Sequence, residues 1–209
     1  MAFYNQNENK SYAPNRYYDS HLDCEVVKIL PGEFYATTED TTIVTVLGSC
    51  VAVCLRDYKK CIGGMNHFLL PTEASSLSLS SISPISESAR YGVFAMELLV
   101  NQMLKLGADK RRLEAKVFGG GNVLKGFTGV SVGERNAEFI LDYLDTENIP
   151  LLAEDLLGIY PRKVYFSPGS GKVNVKRIKS MNNSTIMDRE SEYRMGIRYS
   201  AKSGEVDLF

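Results

Sequence analysis

Apolar and polar residues alternate in short runs along most of the chain. Cys24-Glu25-Val26-Val27-Lys28-Ile29-Leu30 reads as a first strand, closed by the turn signal Pro31-Gly32. Phe34-Tyr35-Ala36 and Thr42-Ile43-Val44-Thr45-Val46 are further strands. Val51-Ala52-Val53-Cys54-Leu55 and the apolar run from Ile62 to Leu70 flank the polar break Arg56-Asp57-Tyr58-Lys59-Lys60, which is the pattern of a β-hairpin. The period then changes. Met96, Leu99, Met103 and Leu106 fall on one face of a helix over 89–106, and Gly107 ends it. Leu113 to Phe118 is a buried strand running into Gly119-Gly120-Gly121. A second helix over 133–147 turns Ala137, Ile140, Leu141 and Leu144 inward. Leu151–Leu157, Lys163–Phe166 and Lys172–Ile178 complete the strands, the last two joined through Pro168-Gly169-Ser170-Gly171. Many strands and two main helices, without regular alternation, predict an α+β fold.

The ends differ from the middle. Residues 1–24 are rich in Asn, Tyr and Ser and read as an extended N-terminal arm that carries His21 as a solvated residue. The Ser-rich stretch 75–83 reads as a surface loop, and the segment 181–209 as a polar C-terminal tail. The 209 residues suffice for one domain with a substantial core. A formal net charge of −1 argues against the basic face of a nucleic-acid binder. No apolar run approaches the roughly 18 residues of a membrane span, and the polar start is unlike a signal peptide. A cytoplasmic protein is expected, with Cys24, Cys50, Cys54 and Cys61 reduced. Without a CxxC pair and with two histidines, the chain offers no convincing zinc site. The triple glycine lacks the Gly-Lys-Ser/Thr of a phosphate loop, so close approach of backbones or a tight turn is the better account of it.

The chemistry centres on Cys50 and His67. A cysteine attacks as the thiolate, and a neighbouring imidazole is a common way to generate one. A two-residue loop at Tyr58-Lys59 puts Asp57 opposite Lys60 and, counting back in step, Cys50 directly opposite His67. Opposed residues of an antiparallel pair have Cβ atoms about 5 Å apart. The competing account is structural: a free cysteine beside a strand is often a small buried hydrophobe, and a lone histidine in an apolar strand a hydrogen-bonded core residue. Gly48 weighs against that account. It permits a tight turn out of the preceding strand and can leave the backbone N–H groups of Ser49 and Cys50 facing the space beside the sulfur, as an oxyanion hole requires.

Leu47-Gly48-Ser49-Cys50-Val51-Ala52-Val53 and the His67 segment ending in Leu70-Pro71 resemble the chemoreceptor glutamine deamidase family, CheD. The resemblance continues through Arg90-Tyr91-Gly92, Arg112 to Gly120, Val132-Gly133-Glu134-Arg135-Asn136-Ala137, Ala153-Glu154-Asp155-Leu156 and Pro161-Arg162-Lys163-Val164. It spans roughly residues 25–180, which are then the deamidase domain between the arm 1–24 and the tail 181–209. The resemblance implies a three-layer α/β/β sandwich, similar to the catalytic domain of cytotoxic necrotizing factor. It implies hydrolysis of glutamine side chains on methyl-accepting chemotaxis receptors, with Cys50 as nucleophile, His67 as base and no metal or organic cofactor. In the family a threonine shortly before the cysteine orients the histidine. Here Thr45 is the match, with Thr42 the other hydroxyl on that strand. A CheC-type phosphatase is an implied partner. The alternative from another class is a binding module that modulates receptors or the phosphatase with little catalysis.

Overall fold

The computed structural model describes residues 15–71, 87–123, 132–178, 188–193 and 195–196. The Ser-rich stretch 75–83 lies outside them. Among the described residues, ten strands form two five-stranded sheets. The first contains β1 (Asn15–Asp19), β2 (Cys24–Lys28), β4 (Thr42–Leu47), β9 (Arg162–Ser167) and β10 (Lys172–Arg177), in that spatial order. The second runs β3 (Phe34–Thr37), β6 (Ile62–Phe68), β5 (Val51–Asp57), β7 (Leu113–Gly119) and β8 (Leu151–Leu156). Helices α1 (Glu87–Lys105) and α2 (Val132–Thr146) and a 3-10 turn at Lys110–Arg112 complete the main elements. The strand β1 lies inside the segment read as an arm. It pairs antiparallel with β2, while its side chains are mostly exposed.

Period-two alternation explains the packing. Val51, Val53 and Leu55 of β5 point to the helices and meet Met96, Leu99, Met103 and Ile140. Cys50, Ala52 and Cys54 point the other way and meet Ile43, Leu47, Val164 and Phe166 of the first sheet. The second sheet is thus covered by helices on one face and by the first sheet on the other. Its buried strands bring apolar side chains to both faces, which is why β5 reads as a nearly continuous apolar run.

The hairpin register differs from the sequence expectation. Asp57 opposes Ile62, not Lys60, and His67 opposes Ala52, not Cys50. The loop has four residues, Tyr58 to Cys61. Cys61 takes a left-handed conformation with φ 56°, and the Asp57 carboxylate accepts the N–H groups of Lys59 and Lys60 at 3.1 and 3.2 Å. The shift is two residues, so it preserves the face: Cys50 and His67 both belong to the inter-sheet side, diagonal to each other rather than opposed.

Asp57 holds this corner from a fully buried position. It also accepts Arg112 at 2.8 Å and the Asp109 N–H at 2.9 Å. The Arg112 hydrogen bonds, aided by those backbone donors, hold its carboxyl well below the usual range against the opposing pull of burial. Asp57→Asn should cost about 3 kcal/mol, at the low end for breaking a buried pair because Arg112 keeps Asp109 as a partner. A depressed carboxyl contributes its stability above the unfolded pKa of about 3.9 and loses it as pH falls toward the folded value. The gap between wild type and variant in urea unfolding should therefore hold from pH 7 to about pH 4.5 and narrow below that.

Candidate active site

The chain crosses from one sheet to the other at Gly48-Ser49-Cys50, between the end of β4 and the start of β5. Two peptides of this crossover are held from behind. The Gly48 carbonyl accepts the Gly121 N–H at 2.8 Å, and the Ser49 carbonyl accepts Asn136 Nδ2 at 2.8 Å. A trans peptide points its N–H opposite to its C=O. The N–H groups of Ser49 and Cys50 are therefore turned to the other side, together with that of Gly48. All three donate to one carboxylate, that of Glu190, at 3.1, 3.2 and 2.9 Å. Ser49 Oγ donates to it as well, at 2.5 Å. This is an anion nest built from consecutive backbone donors.

The triple glycine is the strap that shapes it. Besides the Gly121 bond, Gly120 N–H donates to the Cys50 carbonyl at 2.8 Å. Gly119 sits at φ 112°, where a Cβ would lie 2.2 Å from the Cys50 oxygen. Close backbone approach is the reason for glycine there.

Thr45 and His67 meet across the inter-sheet core. Thr45 Oγ1 is 2.7 Å from His67 Nδ1 and 2.8 Å from the Ile29 carbonyl oxygen. A hydroxyl has one proton, and a carbonyl can only accept. The Thr45 proton therefore goes to Ile29, and Thr45 accepts the Nδ1–H of His67. That fixes the neutral imidazole in the tautomer whose lone pair is on Nε2. Nε2 is buried and has no hydrogen-bond partner among the described residues. Burial pushes the imidazole pKa well below its ordinary value, against the pull of the nearby Glu190 carboxylate, so His67 is neutral at pH 7. The His67 backbone is clamped as well: its N–H donates to the Glu33 carbonyl at 3.0 Å and its carbonyl accepts the Gly32 N–H at 2.7 Å.

Thr45, His67 and Glu190 line one pocket, and Cys50 is linked to it through its N–H bond to the Glu190 carboxylate. Thr42 faces elsewhere, with its hydroxyl near Cys24 Sγ and Ser167 Oγ at 3.5 and 3.4 Å. His21 is exposed in the turn between β1 and β2. Cys54 is buried, and burial pushes its thiol pKa upward, which leaves it a poor nucleophile.

Two residues of the site escaped the sequence reading. Asn136 is wholly buried on the inward face of α2, where its Oδ1 accepts the Leu70 N–H at 2.9 Å while its Nδ2 holds Ser49. Its legible signal was a polar residue on a stripe otherwise formed by Gly133, Ala137, Ile140 and Leu144. Glu190 comes from the segment read as a tail. Asn136→Ala would strand one buried N–H and one buried carbonyl, and should destabilise the fold by about 2–4 kcal/mol in urea unfolding.

A family model described as CheD chemotactic sensory transduction matches residues 69–177. The chain is 63% identical over 196 residues to the probable chemoreceptor glutamine deamidase CheD 1 of Shewanella oneidensis, covering 94% of this chain and 93% of that protein. It is 55% identical over 197 residues to the probable chemoreceptor glutamine deamidase CheD of Thiobacillus denitrificans, covering 94% and 96% of the two chains. With the protein of the same description from Methylobacillus flagellatus it shares 54% identity over 197 residues, again covering 94% and 96%.

Proposed function

The chain belongs to the CheD family, and we propose that it hydrolyses glutamine side chains of chemotaxis receptors to glutamate, with Cys50 as nucleophile and His67 as base. The observation that carries the assignment of roles is the pair of hydrogen bonds made by Thr45, because it leaves the Nε2 lone pair as the basic atom.

Nε2 takes the Cys50 thiol proton, and the sulfur attacks the substrate Cδ. The developing oxyanion lies in the nest, where the N–H groups of Ser49 and Cys50 stabilise it. Nε2–H then protonates the departing nitrogen, ammonia leaves, and a thioester remains. Water deprotonated by Nε2 adds to the thioester, the C–S bond breaks, and the thiol is regenerated with glutamate as product. Thr45 accepts the Nδ1–H in both the neutral and the charged imidazole. A hydroxyl stabilises imidazolium less than a carboxylate would, which predicts slow turnover.

Helices on one face of the second sheet and the first sheet on its other face support reading residues 25–180 as a deamidase domain of three-layer α/β/β type, for which the family resemblance implies a likeness to the catalytic domain of cytotoxic necrotizing factor. The family reading also points to a CheC-type phosphatase as partner and to the cytoplasm, where receptor signalling bundles stand. Among the described residues no helix is long and apolar enough to cross a membrane. The test is incubation with receptors of the same organism followed by peptide mass mapping. Glutamine-to-glutamate conversion in intact receptors is expected. Fragmented receptors would mean a protease, and binding without conversion would mean a modulating module.

A further inference from the structure

Glu190 sits in the nest that the reaction needs empty. Its carboxylate takes three backbone N–H bonds and one hydroxyl bond, and the residue is only 5% exposed. The donors are all of one sign, so the nest selects an anion over a neutral amide. A glutamate side chain has the length of the substrate glutamine and ends in the carboxylate that hydrolysis creates.

The residue is held there by its own helical segment, 188–193. Tyr193, three positions on and hence on the same helical face, packs over Gly32, where a Cβ would lie 2.4 Å from its ring. Its hydroxyl also hydrogen-bonds that of Tyr91. Gly32 is the residue whose N–H holds the His67 carbonyl. The segment thus spans the nest on one side and the histidine strand on the other.

We infer that the nest at Gly48–Cys50 is a binding site for a glutamyl carboxylate carried on a helical segment, and that this chain fills it with its own Glu190 as a tethered product analogue. The inference rests on the deamidase reading for the identity of the product. Receptor glutamine and Glu190 then compete for one site. A tethered competitor lowers apparent substrate affinity by the fraction of molecules in which the site is open and leaves kcat unchanged.

The experiment compares full-length wild type and E190A by two readouts. The first is the rate of iodoacetamide modification at Cys50, followed by peptide mass mapping with exposed Cys61 as internal reference. The second is deamidation of receptor glutamines. If Glu190 fills the nest about nine-tenths of the time, E190A should label Cys50 about tenfold faster and show a KM about tenfold lower at similar kcat. Unchanged or slower Cys50 labelling in folded E190A overturns the inference, and leaves the deamidase reading intact if receptors are still converted. Faster labelling with no conversion by either protein keeps the seated carboxylate and removes the deamidase reading. Should E190A fail to fold, Y193A loosens the same segment without touching the nest, and the same two outcomes decide.

Discussion

Cys50→Ala should lower receptor deamidation by at least about 10⁴-fold, because the proposed thioester path is then closed and only the binding and electrostatic parts of the site remain. The fold should survive. The side chain is fully buried in the inter-sheet core, but removing one sulfur leaves a small void beside Ala52 and Leu47, costing about 1 kcal/mol. No other thiol can replace it. Cys54 lies on the same face but deeper in the sheet, and burial holds it as the thiol. Cys24 lies by Thr42, and Cys61 is in the exposed hairpin loop at the far end of β5. The measurement is conversion of receptor glutamines by mass mapping, with thermal unfolding as the check on folding. A folded Cys50→Ala protein that converts receptors at the wild-type rate would remove the covalent mechanism altogether.

Most elements were legible because their burial leaves a period. The hairpin around Arg56–Lys60 was visible as two apolar runs and a polar break, but its register was not. The loop extends to Cys61, which takes a left-handed conformation without the glycine or asparagine that usually flags one, while Asp57 supplies the turn with side-chain hydrogen bonds. The resulting shift is even, so the conclusion that Cys50 and His67 share a face stands although their direct opposition does not. The edge strand β1 was missed for a different reason. Its side chains are mostly exposed, so Asn15–Asp19 carries no alternation; backbone pairing with β2 and the contacts of Arg16 with Tyr35 and Glu39 hold it.

The chemistry divides along the same line. Cys50 and His67 could be singled out from the pairing of two apolar runs, and Thr45 from the family resemblance. The donors of the nest are backbone groups, and what aims them is a carbonyl partner on α2 and another after β7. Contacts of that kind leave no pattern in a single sequence. Glu190 is harder still. It is one carboxylate in a polar stretch, and only its spacing to Tyr193 hints that one face of the segment is occupied.

His67→Ala should lower kcat by at least about 10³-fold, since in the proposed mechanism both proton transfers pass through Nε2. Thr45→Val tests how Nε2 comes to be the basic atom. Valine keeps the shape but removes the acceptor of the Nδ1–H, so both tautomers become accessible and the ring loses its anchor. A fall in kcat of at least about tenfold is expected. Thr42→Val, whose hydroxyl faces Cys24 and Ser167, should stay within about twofold. The pH profile separates orientation from mere packing. Burial already places the imidazole pKa well below its ordinary value of about 6.5, so the acid limb of wild-type kcat/KM should lie below that range. Removing the Nδ1–H acceptor disfavours the imidazolium further, and Thr45→Val should move the limb to still lower pH. The sign for stability follows from the same shift. The unfolded chain protonates His67 first as pH falls through about 6.5, so wild type loses stability in acid that His67→Ala does not. A folded Thr45→Val protein with wild-type kcat and an unmoved acid limb would show that the hydroxyl does not orient the base.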